Sequence, residues 1–128
     1  METGKKNLQF GWTWLLLFII LGFYLLLRVA DPDWGGLQRA FWRTAHIHGN
    51  LLSFLNIFYG LIIDKTGLSG WLKESGSWLA IIGVILFTGS LFLSPFVPNL
   101  RPVELVGGIA VIISVAIMAY GQVFARAS

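Results

Sequence analysis

Four long apolar stretches divide the chain. The first runs from Phe10 to about Leu27 without a charge, and the second from about Ala45 to Ile63, where Asp64 and Lys65 stop it. The third covers about 78–97 and the fourth about 103–124. A helix needs roughly 20 residues to cross the hydrocarbon core of a bilayer. A spanning segment must also satisfy its own backbone hydrogen bonds, so each stretch is predicted as a transmembrane helix. Lys5 and Lys6 precede the first stretch, as basic residues do in a signal peptide. Its apolar run is long, however, and no small-residue cleavage site follows, so it is read as a permanent span. The predicted fold is all-α: an integral membrane four-helix bundle, one domain over 1–128.

The connections differ in character. Gly67, Gly70 and Gly76 punctuate 64–77, which reads as a surface loop with Trp71 at the interface. Pro95, Pro98 and Pro102 predict a tight, kinked turn between the last two spans. Between the first two, Asp31-Pro32-Asp33-Trp34 reads as a helix start with Asp33 as N-cap. Leu37, Phe41 and Trp42 then alternate with Gln38, Arg39 and Arg43, which predicts a short interfacial helix before the second span. On the fourth span Gly107, Ala110, Ser114 and Gly121 recur at near-whole turns, as do Gly83, Ser90 and Ser94 on the third. Such small faces let membrane helices approach closely, within one bundle or across an oligomer seam.

Composition narrows the class. The chain is 56% hydrophobic and only 12% charged, with a mean hydropathy of +0.77. A soluble domain carries about a quarter of its residues as charges, so a water-soluble globule is excluded, as is a nucleic-acid binder. The formal charge of +3 belongs to lipid headgroups rather than to an acidic ligand. Lys5, Lys6, Lys65, Lys73 and Arg126 fall on one side of an even-span bundle, and Arg28, Arg39, Arg43 and Arg101 on the other. That small excess places both termini on the cytoplasmic side, in a bacterial-type inner membrane. With no cysteine there is no disulfide and no thiolate metal site. Six tryptophans, mostly near predicted helix ends, read as an aromatic belt.

Intramembrane polarity concentrates on the second span, in Arg43-Thr-Ala-His46-Ile-His48-Gly-Asn50, followed by Ser53, Asn56 and Tyr59. Ionisable groups inside a bilayer are costly and point to function. On a helical wheel of about 100° per residue, His46 shares a face with Arg43, Asn50 and Ser53, while His48 and Tyr59 lie on the other side. Histidines at i and i+2 diverge and do not grip one ion together, unlike the i, i+4 pair of a zinc helix. A single histidine, His46 or His48, suffices as an axial ligand to haem iron. Its second ring nitrogen then needs an acceptor: Asn50 or Ser53 for His46, Tyr59 or another helix for His48. Against this stands a bland alternative, in which both histidines are interfacial, bonded to water and lipid phosphate, with Arg43 a snorkelling anchor. A proton relay is the third option. Asn50 and Asn56 also read as interhelical hydrogen-bonding glue.

The run R-T-A-H-I-H-G-N-L-L, Arg43 to Leu52, resembles the second transmembrane helix of the haem-copper oxidase and nitric oxide reductase catalytic subunit. It also resembles small stand-alone four-helix proteins labelled oxidase subunit I-like. A third resemblance is to styrene oxide isomerase, a small haem b membrane enzyme. It rests on the R-A-H stretch, on Asp64-Lys65-Thr66, and on the turn from Leu93 to Asn99. These resemblances imply haem b held by one histidine. The H-x-N-L-L register selects His48, and the R-A-H register selects His46. An open iron position would suit small-molecule binding or Lewis-acid catalysis, with Asn50 and Tyr59 as candidate catalytic groups and Arg43 and Ser53 beside the cofactor. The oxidases have many more spans and histidines than this chain. The region matching the isomerase's third helix, Thr88-Gly89-Ser90-Leu91, holds no tyrosine. The expected partners are the bilayer and either further copies of the chain or a larger membrane complex. A haem-free accessory subunit and an epoxide isomerase are the competing readings.

Overall fold

A computed structural model describes residues 2–125. The helices are α1 (Gly4–Arg28), α2 (Gly36–Ile62), α3 (Gly70–Leu93) and α4 (Arg101–Val123), with a single 3-10 turn, Ile63–Lys65, ending α2. All four are long and apolar enough to cross a membrane, as in an integral membrane protein. Helices α1 and α2 pack along their length, as do α3 and α4, and α2 joins the two pairs through α3.

Three boundaries differ from those expected, and the first has a tertiary cause. Helix α1 begins at Gly4, well before Phe10. Its first backbone donors are capped from elsewhere: the Asp64 carboxylate accepts from Thr3 N (3.1 Å) and Gly4 N (2.8 Å). Glu74 binds Thr3 Oγ1 and forms an ion pair with Lys6 at 2.8 Å. A carboxylate at a helix N-terminus satisfies donors that the helix itself leaves open.

The short helix expected before the second span is not a separate element but the first turns of α2. Nothing between Leu37 and Ala45 breaks the ladder, since that stretch has neither Gly nor Pro. Asp33 is not the cap either. Residues 31–34 form a turn in which Asp31 Oδ1 accepts from Asp33 N and the Asp31 carbonyl from Trp34 N. Helix α2 starts after Gly35, with Gly36 at φ 67°.

Most of the expected loop 64–77 is helix, because α3 starts at Gly70. The proline-rich connection is a turn as expected, and Asn99 there adopts φ 64°.

The small-residue faces close the α3–α4 pair. Gly107, Ala110, Ser114 and Gly121 are the buried residues of α4, and Gly83 and Ser90 are buried on α3. A Cβ on Gly107 would lie 2.5 Å from Phe87 N, so the two backbones are in direct contact there.

Two apolar clusters fill the interior. One gathers Tyr59, Ile63, Leu68 and Ala80, the other Phe18, Ala45 and Leu91. A buried polar knot ties three helices: Asn7 Nδ2 donates to Asn56 Oδ1 (2.9 Å) and to the Ser77 carbonyl (3.2 Å). Ser77 Oγ donates to Asn7 Oδ1, and Asn56 Nδ2 to the Ala80 carbonyl at 3.2 Å. Asn56 is thus the interhelical glue its position suggested, with Asn7 and Ser77 as partners.

The tryptophans divide. Trp12, Trp71 and Trp78 are exposed as a belt requires. Trp14 donates to Thr88 Oγ1 (3.0 Å) and Trp42 to the Phe92 carbonyl (2.9 Å), tying helices together, and Trp34 is buried. Arg126, counted with the basic residues at the terminal end, lies outside the described residues.

Candidate functional site

The stretch of α2 from Arg43 to Asn56 carries the polar groups. An uninterrupted helix forces its two histidines to diverge, and they meet different neighbours. His46 turns towards α1. The Asn50 side-chain amide, one turn on, engages His46 Nε2 at 2.9 Å. Either orientation of that amide occupies Nε2, as acceptor of an Asn50 N–H or as donor to its Oδ1. That same Nε2 lies against α1: a Cβ built on Gly22 would be 2.3 Å from it. Asn50 Oδ1 is buried without a partner.

His48 turns towards α3, with its ring centroid 5.3 Å from that of Phe87. Its Nδ1 is 3.0 Å from the Thr44 carbonyl. A carbonyl only accepts, so Nδ1 carries the proton and the lone pair is on Nε2. Nε2 has no hydrogen bond among the described residues, and the side chain is half-buried. The acceptor for His48 is therefore its own helix backbone, neither Tyr59 nor a group from another helix.

Ser53 is fully buried and donates to the Gly49 carbonyl, so its hydroxyl closes on its own helix. Tyr59 lies far from both histidines. Eleven residues separate it from His48, which is about 16 Å along a helix. Its buried hydroxyl donates to the Ser114 carbonyl at 3.1 Å, in the space left by Gly76. Tyr59 thus joins α2 to α4 and does not belong to the histidine region. Tyr59→Phe is expected to lower stability by about 1 kcal/mol, the value of one such bond. It should leave any ligand spectrum of the histidine region untouched. Detergent unfolding of the variant, followed by circular dichroism, checks the first part; an altered spectrum would return Tyr59 to the site.

Arg43 is exposed and lines a cleft between the end of α1 and the start of α2. The cleft also takes in Arg39, His46 and Trp34 over apolar walls from Leu25, Leu26 and Val29. Trp34 went unnoticed as a site residue in the sequence; the only hint was its place between arginines, at Arg28 and at the i, i+4 pair Arg39 and Arg43.

No group of three metal-ligating side chains occurs among the described residues. Of the two histidines, His48 is the one whose ring could serve as a ligand to haem iron. A ligand histidine carries its proton on one nitrogen, held by an acceptor, and offers the other nitrogen to the metal. His48 has that arrangement at Nδ1, and its Nε2 makes no hydrogen bond among the described residues. His46 has the reverse, with Nε2 engaged by Asn50 and covered by α1.

The chain belongs to the family described as a domain of unknown function, DUF8059, which matches residues 9–128. No curated protein and no solved structure matches it.

Proposed function

We propose that the protein binds haem b within the membrane through His48 Nε2 as the one axial ligand. The observation that carries this reading is the division of labour on that ring: Nδ1 is tied to the Thr44 carbonyl at 3.0 Å and Nε2 is free. Thr44, Leu52 and Leu55 share the half-buried face of α2 with His48 and supply a mainly apolar edge for a macrocycle. Phe87 on α3 fixes the plane of the imidazole by ring contact. Donation of the Nδ1 proton to the Thr44 carbonyl makes the imidazole a better electron-pair donor to a metal. When bound through one histidine, haem iron offers an open position for a small ligand or for Lewis-acid chemistry. Asn50 does not reach that position, because it is engaged with His46 on the opposite face. Its role is to hold His46.

A single chain covers this side of α2 only partly, so the reading includes a second copy or a larger membrane complex closing over the face. On this reading both termini face the cytoplasm of a bacterial-type inner membrane, following the five-to-four excess of Lys and Arg at the terminal end.

Titrating haemin into the full chain, purified in mild detergent, tests the reading. A Soret band shifted from that of free haemin should grow and saturate at a fixed haem-to-chain ratio. A linear, unshifted rise would overturn the reading and leave the haem-free accessory subunit in its place.

A further inference from the structure

The cleft between α1 and α2 has a chemistry of its own. Its volume is about 410 Å³. Two guanidinium groups, Arg39 and Arg43, line it, and neither forms an ion pair among the described residues. The nearby Asp31 is already engaged with Arg28, at 3.3 Å. Trp34 forms another part of the wall. It is only 6% exposed, and its indole N–H is buried without an acceptor. Arg28 Nε, beside the same indole, is likewise buried and unpartnered. The Arg39 guanidinium also lies over the indole, 5.9 Å from its centroid. The cleft therefore holds surplus positive charge and, in the Trp34 wall, an indole N–H without a partner, with no carboxylate in its lining. Buried donors without partners are rare and call for an explanation.

The remaining walls are apolar, and Leu26, Val29 and Ile47 are more than half exposed, so the cleft opens onto the lipid-facing surface. The sides of the bundle are chemically unlike as well. All four lysines lie at the end where the chain starts, and the described arginines, Arg28, Arg39, Arg43 and Arg101, at the other. Arginine matches a phosphate with two parallel hydrogen bonds, whereas lysine acts as a point charge.

We infer that the cleft is a binding site for a phosphate group carried on an apolar tail, the headgroup of an anionic phospholipid. Arg39 and Arg43 contact the phosphate oxygens, Trp34 supplies a third donor, and Leu26, Val29 and Ile47 take the start of the acyl region. The site is independent of the haem reading, because His48 points to the other side of α2.

Native mass spectrometry of the full chain in mild detergent reads out the site, with phosphatidylglycerol, phosphatidylcholine and inorganic phosphate as separate probes. Phosphatidylglycerol should be retained in preference to phosphatidylcholine. R39Q/R43Q should weaken its retention about 30-fold, on the basis of ~1 kcal/mol per basic residue. K5Q/K73Q, with the same change in charge at the other end, should leave it unchanged. Arg43→Gln alone, at an exposed position, should still weaken retention several-fold should the double variant lose its fold. Trp34→Phe, which keeps the ring and removes the N–H, should weaken it further from wild type in the same direction. Displacement by millimolar inorganic phosphate would make a free phosphate the occupant of the same site; no displacement makes it the lipid. Equal retention of the two lipids, or equal loss in the lysine and arginine variants, would overturn the inference.

Discussion

His48→Ala is expected to abolish the Soret band of the proposed haem complex and His46→Ala to preserve it, the largest spectroscopic effect expected of any single substitution in the chain. The two residues sit two positions apart on one helix, have the same side chain and are both half-buried. What separates them is which ring nitrogen is committed. The His48 proton lies on Nδ1 towards Thr44, and Nε2 is open. In His46 the Asn50 amide and the backbone at Gly22 both occupy Nε2. Loss of His46 frees the Asn50 amide and opens a cavity against α1, so that variant should lose some stability while keeping its colour. Absorption spectra of the two variants at matched protein concentration decide the matter, with helicity by circular dichroism as the control for folding. The opposite pattern would transfer the axial role to His46. Retention by both would remove it from α2.

Gly107→Leu is expected to produce the largest loss of stability. A side chain at 107 would start 2.5 Å from Phe87 N and 2.8 Å from the Gly83 carbonyl, atoms of a backbone that has no rotamer to change. Helices α3 and α4 must then separate. Separation strips packing from Ala110 and lengthens the Tyr59–Ser114 hydrogen bond. Overpacking of this kind costs about 1–3 kcal/mol and sometimes more, and the backbone contact places this case at the upper end. Gly89→Leu is the matched control: it lies on α3, and a Cβ there meets nothing within 4 Å. Its stability should stay within about 0.5 kcal/mol of the wild type, helped by the better helix propensity of leucine. Unfolding in mixed detergent micelles, followed by circular dichroism, measures both. Equal midpoints would show that α3 and α4 are not held by close backbone approach.

The four spans are legible in the sequence because charges are absent over long stretches, and the small-residue face of α4 because its spacing follows whole helical turns. The divergence of His46 and His48 is legible for the same reason, since about 100° per residue is a property of any helix. Tyr59 shows where that argument stops. A wheel places it with His48 but discards distance along the axis, and three turns separate them. The assignment between the two histidines depends on a carbonyl and on a glycine of another helix, neither of which declares itself in a sequence.

The same holds for the caps and the polar knot. Asp64 caps α1 from sixty residues away, so the polar first turn of α1 looks like a tail until α2 is in place. Asn7 and Ser77 are unremarkable polar residues near predicted span ends, and only the packing of α1 and α3 brings them to Asn56. Trp34 resembles any interfacial tryptophan until α1 and α2 close over it.

The central claim is that this helical membrane protein carries haem on His48. The most direct measurement is an oxidised and a dithionite-reduced absorption spectrum of the full chain, purified in mild detergent from cells supplied with haem precursor. The account predicts a Soret band in fixed ratio to protein, with reduced b-type bands that are missing from the His48→Ala variant. A colourless, monodisperse protein would contradict it.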